Sequence, residues 1–70
     1  MTGSRAWSVE QVRALGVSTD IVTAGSVLGL GRSTSYQLAR TGQFPVPVLR
    51  AGARYVVAVA HLLRLLGVEP

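Results

Sequence analysis

Residues 23–42 read TAGSVLGLGRSTSYQLARTG. Thr23 has the side chain of an N-cap, which predicts a short helix from Ala24 to Leu28. Gly29 can take the positive φ that a sharp turn between two helices demands, and Leu30 can then drop into a core. A second helix is predicted from Arg32 to about Thr41, with Gly42 in a position that ends helices. Two helices joined by a short glycine-containing turn make a helix-turn-helix, here spanning residues 23–41.

Within the second helix, Ser35, Leu38 and Ala39 share an inward face, with Leu30 below them. The opposite arc carries Arg32, Ser33, Thr34, Tyr36, Gln37 and Arg40, and not one acid. Arginine grips guanine bidentately or binds phosphate, and glutamine pairs with adenine. Ser, Thr and Tyr hydroxyls donate to phosphate oxygens. Every polar group in the arc is thus a donor to a polyanion. A plainer alternative assigns Ser33 and Thr34 to the amides of the first turn and leaves Arg32 and Arg40 solvated.

Charge across the chain favours the polyanion. All seven basic residues are arginine, against three acids, for a formal net charge of +4. Asp20 and Glu69 are consecutive acids along the chain, so no acid between them offsets Arg32, Arg40, Arg50, Arg54 and Arg64. Such a field is the electrostatic footprint of a phosphate-binding protein. Seventy residues make one domain, 1–70, near the size at which a single core is only marginally adequate. With no cysteine there are no disulfides or thiolate metal sites, and His61 is the only histidine. The expectation is therefore no metal, no cofactor and no enzymatic activity. No apolar run reaches the roughly 18 residues of a membrane span. The longest, YVVAVAHLLRLLGV, is broken by His61 and Arg64. The first residues carry no apolar core before a cleavage signal, so a cytoplasmic, nucleoid-associated protein without a membrane partner is expected.

Upstream, AWSVEQVRALG predicts a helix over residues 8–15. Ser8 and Gln11 have the spacing of a capping box, and Trp7 and Val12 that of a hydrophobic staple. Val9, Val12 and Leu15 would cover one side of the core, with Trp7 packing rather than binding a ligand. Ile21 and Val22 read as a very short strand.

Downstream, FPVPVLRAGARYVV is too proline-rich for a helix. Val46, Val48, Leu49 and then Tyr55, Val56, Val57 are strand formers on either side of Ala51-Gly52-Ala53, which predicts a hairpin over residues 46–57 turning at Gly52. Arg50 and Arg54 flank the turn and are expected to reach the same phosphate backbone. A hairpin after a helix-turn-helix is a wing. A last helix, residues 58–66, has Val59, Leu62, Leu63 and Leu66 as its apolar stripe, with His61 and Arg64 opposite and Leu65 at the margin. The expected fold class is mainly α with a small β-hairpin, and Leu28, Leu30, Leu38, Val48, Leu62 and Leu66 are expected in its core.

From Thr23 to Leu66 the chain resembles the small winged helix-turn-helix proteins of the excisionase and AlpA type, related to the DNA-binding domain of MerR regulators. The resemblance lies in TAGSVLGLGRSTSY for the two helices, ARTGQFPVPVLR for the helix end and first strand, and GARY for the wing tip. The lead-in SVEQVRALGV is similar to actinobacterial members that accompany integrases of phages and integrated elements. By position, it implies DNA contacts from Arg32, Ser33, Thr34, Tyr36, Gln37 and Arg40 in the major groove, and from Arg50, Gly52 and Arg54 in the wing. Gly31 stands where the family often has serine, and Ala53 where it often has a second basic residue, which implies modest affinity per protomer. An excisionase binds adjacent sites cooperatively, bends attachment-site DNA and steers an integrase toward excision. Its partners would be double-stranded DNA, an integrase or recombinase, and further copies of itself on DNA. The residues leave open a small transcriptional regulator on the same fold. They also leave a protein-interaction module that uses the LLRLL string of residues 62–66.

Overall fold

The computed structural model describes residues 7–67; Glu69 of the charge argument lies outside them. Helix α1 (Val9–Arg13) begins at Ser8, whose hydroxyl accepts the Gln11 amide at 3.0 Å while the Gln11 side chain accepts the Ser8 amide at 2.9 Å. This is the expected capping box, on a helix shorter than 8–15. Val12 is buried and Leu15 half-buried, but Val9 is exposed rather than packed. Trp7 lies against the core and its indole N–H donates to Ser26 Oγ at 3.1 Å, so it ties α1 to the next helix.

The short strand falls earlier than Ile21–Val22. It is β1 (Ser18–Asp20), and Ile21 and Val22 instead open α2 (Ile21–Val27). Ile21 and Ala24, three apart, are both buried, which is helical and not strand periodicity. Asp20, not Thr23, is the N-cap residue. Its carboxyl is held below the usual carboxylate range, first by the Thr23 hydroxyl, then by the amides of Asp20 and Thr23 and by the Thr19 hydroxyl, against partial burial that acts the other way.

Gly29 turns the chain at φ +80°, and the Leu30 amide donates back to the Gly25 carbonyl at 2.7 Å. Helix α3 (Arg32–Thr41) has the expected bounds and ends at Gly42, where the Gln43 amide closes on the Leu38 carbonyl at 2.8 Å. Ser35 is fully buried, its hydroxyl donating to the Gly31 carbonyl at 2.7 Å. A Cβ built on Gly25 would fall on that hydroxyl and come 2.8 Å from the Ser35 Cβ. The two helices cross this closely because position 25 has no side chain.

Strands β2 (Leu49–Ala51) and β3 (Arg54–Ala58) form the hairpin. β1 pairs on the other edge of β3, which gives an antiparallel sheet of order β1-β3-β2. The class is therefore four helices with a three-stranded sheet, not helices with an isolated hairpin. Residues 46–48 stay outside the ladder because Pro45 and Pro47 have no N–H to give it. The segment bends at Pro45 and Val46, and it buries Phe44 and Val46 while Pro45 and Pro47 are exposed.

Helix α4 (Val59–Leu65) places Val59, Leu62 and Leu63 in the core. Leu66 is a correction: it follows the helix, 45 % exposed, beside Leu65 at 50 %. His61 is half-buried rather than on the surface. Leu28, Leu30, Leu38 and Val48 are partly buried around a centre of Val12, Ile21, Ala24, Phe44, Val46, Val57, Val59, Leu62 and Leu63. No helix among the described residues is long and apolar enough to cross a membrane.

Candidate nucleic-acid interface

α3 buries Ser35 and half-buries Leu38 and Ala39, so the remaining arc faces outward as the 3.6-residue period requires. Arg32, Ser33, Thr34, Gln37 and Arg40 are exposed. The N-cap, Gly31, contributes no side-chain hydrogen bond. The first-turn amides of α3 therefore start beside the exposed hydroxyls of Ser33 and Thr34 and the Arg32 guanidinium. Backbone donors and positive charge coincide at this end.

Tyr36 is 40 % exposed, and its ring meets Tyr55 of β3 edge-on, centroids 6.4 Å apart at 61°. Tyr55 in turn lies under Arg50, whose Cζ is 5.8 Å from the ring centroid. Arg50 and Tyr55 are cross-strand partners, so this contact follows from register. Arg50 Nε also donates to the Gly52 carbonyl at 3.3 Å. A continuous contact thus runs from α3 through two rings to the hairpin arginine. Tyr55 is the member that the sequence reading missed. Its signal was there: a tyrosine at a period-2 position with Val57, facing an arginine across a glycine turn.

The hairpin arginines do not lie as expected. Its turn has two residues, Gly52 and Ala53, with φ +64° at Gly52 alone among them. This matches a type II′ turn, which demands glycine first. Ala51 then pairs with Arg54 and Arg50 with Tyr55. Neighbouring residues of a strand point to opposite faces, so Arg50 and Arg54 occupy opposite faces of the hairpin. Arg50 borders a cleft shared with Arg40, Pro45, Pro47 and Tyr55. Arg54 borders a separate, smaller hollow with Asp20, Tyr36 and Tyr55. The two arginines bracket the hairpin.

Four arginines therefore accompany this side of the fold: Arg32 and Arg40 on α3, and Arg50 and Arg54 on the hairpin. Of the described acids, Asp20 lines the Arg54 hollow, and neither Asp20 nor Glu10 lines the Arg50 cleft. Among the described residues no three His, Cys, Asp or Glu side chains group as metal ligands. No family model, curated protein or solved structure matches the chain.

Proposed function

We propose that this chain is a winged helix-turn-helix protein that binds double-stranded DNA in a sequence-dependent way. α3 would enter the major groove and the β2–β3 hairpin would act as the wing. One observation carries the reading: an acid-free exposed arc of donors on α3 abuts a hairpin with an arginine on each face. Arg32 and Gln37 are assigned to bases, and Ser33, Thr34 and Arg40 to phosphates. Tyr36 holds the helix against Tyr55 and offers the phosphate only its exposed edge. Arginines on both faces suit a hairpin set into a groove with a phosphate strand on either side.

The role we propose for that binding is excisionase, with several copies on attachment-site DNA redirecting an integrase or recombinase. A single short helix and one wing offer little contact area, so specificity requires neighbouring copies. The interaction-module reading is weaker, because the core consumes Leu62 and Leu63 and leaves only Leu65 and Leu66 exposed.

The experiment is selection of bound sequences from a random duplex library with the native protein and three variants. Arg32→Ala and Gln37→Ala are expected to flatten preference at particular base positions, each costing about 1–3 kcal/mol on the best site. Arg54→Ala is expected to weaken all sites about equally. Selected sequences unchanged by Arg32→Ala and Gln37→Ala would remove α3 from base reading. On duplexes with one and with two adjacent selected sites, tighter binding per site on the latter is expected. Equal affinity would leave a simple regulator.

A further inference from the structure

We infer that the cleft between the end of α3 and the hairpin is a seat for one backbone phosphate and its deoxyribose, held jointly by Arg40 and Arg50. The inference rests on the DNA reading above and gives it a defined anchor. The cleft measures about 460 Å³ and is bordered by Arg40, Pro45, Val46, Pro47, Arg50 and Tyr55 among others, with no carboxylate. Two guanidiniums on one cleft repel each other. An anion between them replaces that repulsion with charge-assisted hydrogen bonds at both ends.

The cleft is also prepared for such a guest. Arg50 is held over the Tyr55 ring, and among the described residues only its Nε–H is committed, to Gly52. The terminal nitrogens of its fork keep their donors. The negative end of the α3 dipole acts against an anion here. However, three carbonyls near the helix end are covered: Gln37 by the Thr41 hydroxyl at 3.0 Å, Leu38 by the Gln43 amide at 2.8 Å, and Ala39 by the Gly42 amide at 3.3 Å. The volume exceeds what a phosphate alone fills, and Val46, Val48 and the two prolines give the sugar an apolar wall. Arg54, on the other face of the hairpin, has no part in the seat.

The test is a double-mutant cycle on the duplex that the native protein selects, read by fluorescence anisotropy at fixed salt. Arg40→Gln and Arg50→Gln are each expected to weaken binding about tenfold. Both side chains are exposed, so the melting temperature should fall by no more than a few degrees, and only for Arg50→Gln, which gives up the Tyr55 and Gly52 contacts. Because the two hold one phosphate, the Arg40→Gln/Arg50→Gln pair should bind at most about threefold more weakly than the worse single variant. Arg40→Gln with Arg54→Gln should instead multiply, to the product of the two single losses. Scanning one methylphosphonate linkage along the duplex should find a single position that makes both Arg40→Gln and Arg50→Gln silent and leaves the Arg54→Gln loss intact. Multiplying losses for Arg40 and Arg50, or two separate silencing positions, would overturn the shared seat while leaving DNA binding in place. Failure of the native protein to select any duplex would instead overturn the DNA reading on which the seat rests.

Discussion

Gly25→Val is expected to abolish cooperative folding, with a loss of at least about 3 kcal/mol from a domain of marginal size. A Cβ at position 25 meets Ser35 at distances real side chains do not tolerate, and Ser35 is itself fully buried on α3. Rotation of the hydroxyl does not relieve this, because the Ser35 Cβ at 2.8 Å has nowhere to go without moving the helix. Gly25→Ala separates this cause from helix propensity. Propensity alone says that alanine within α2 stabilises by about 1 kcal/mol. The crossing says that it destabilises, by a net of about 1–2 kcal/mol after that gain is subtracted. Urea melts of Gly25→Ala, Ser35→Gly and the double variant decide between them. A cycle in which Ser35→Gly recovers part of the Gly25→Ala loss locates the effect at the crossing. An alanine variant more stable than the native protein would show that α2 and α3 are further apart than described.

Leu62→Ala is the second large effect. Leu62 is 0 % exposed, and its truncation is expected to cost about 2–5 kcal/mol, enough to unfold most of the population of a marginal domain. Leu66→Ala, four residues on and nominally one helical turn along the same stripe, should shift stability by only about 0.5 kcal/mol. The contrast is a measurement of where α4 ends. Equal losses at both positions in thermal melts would mean that the helix continues and carries Leu66 back under the core.

The pair Leu62 and Leu66 also marks a limit of what the sequence discloses. Periodicity projects a stripe for as long as apolar residues recur, but α4 stops at Leu65 before the stripe returns to the core. Elements with local signals were legible. Ser8 and Gln11 cap α1, Gly29 turns the chain, and Arg32 to Gly42 bound α3 as read, because each rests on residues close in the chain. Those set by distant partners were not. Ser18–Asp20 carries no strong strand preference and is a strand because the far side of β3 was open to pairing. Gly25 carries no local signal of its own, and only the packing of Ser35 against it gives it a purpose. The outward arc of α3 followed directly from its period. The bracket of Arg50 and Arg54 depended on turn length, since one residue more or less in the loop would have placed them on one face.

The most direct measurement of the central claim is an amide chemical-shift titration of the native protein with a short duplex of its selected sequence. At low salt the largest shifts should fall within residues 32–40 and 50–55, and they should fade together as salt rises, because phosphate contacts release counterions. Shifts confined to α4, around Leu65 and Leu66, or no change at low salt with a folded spectrum, would contradict the assignment of α3 and the hairpin as a DNA-binding face.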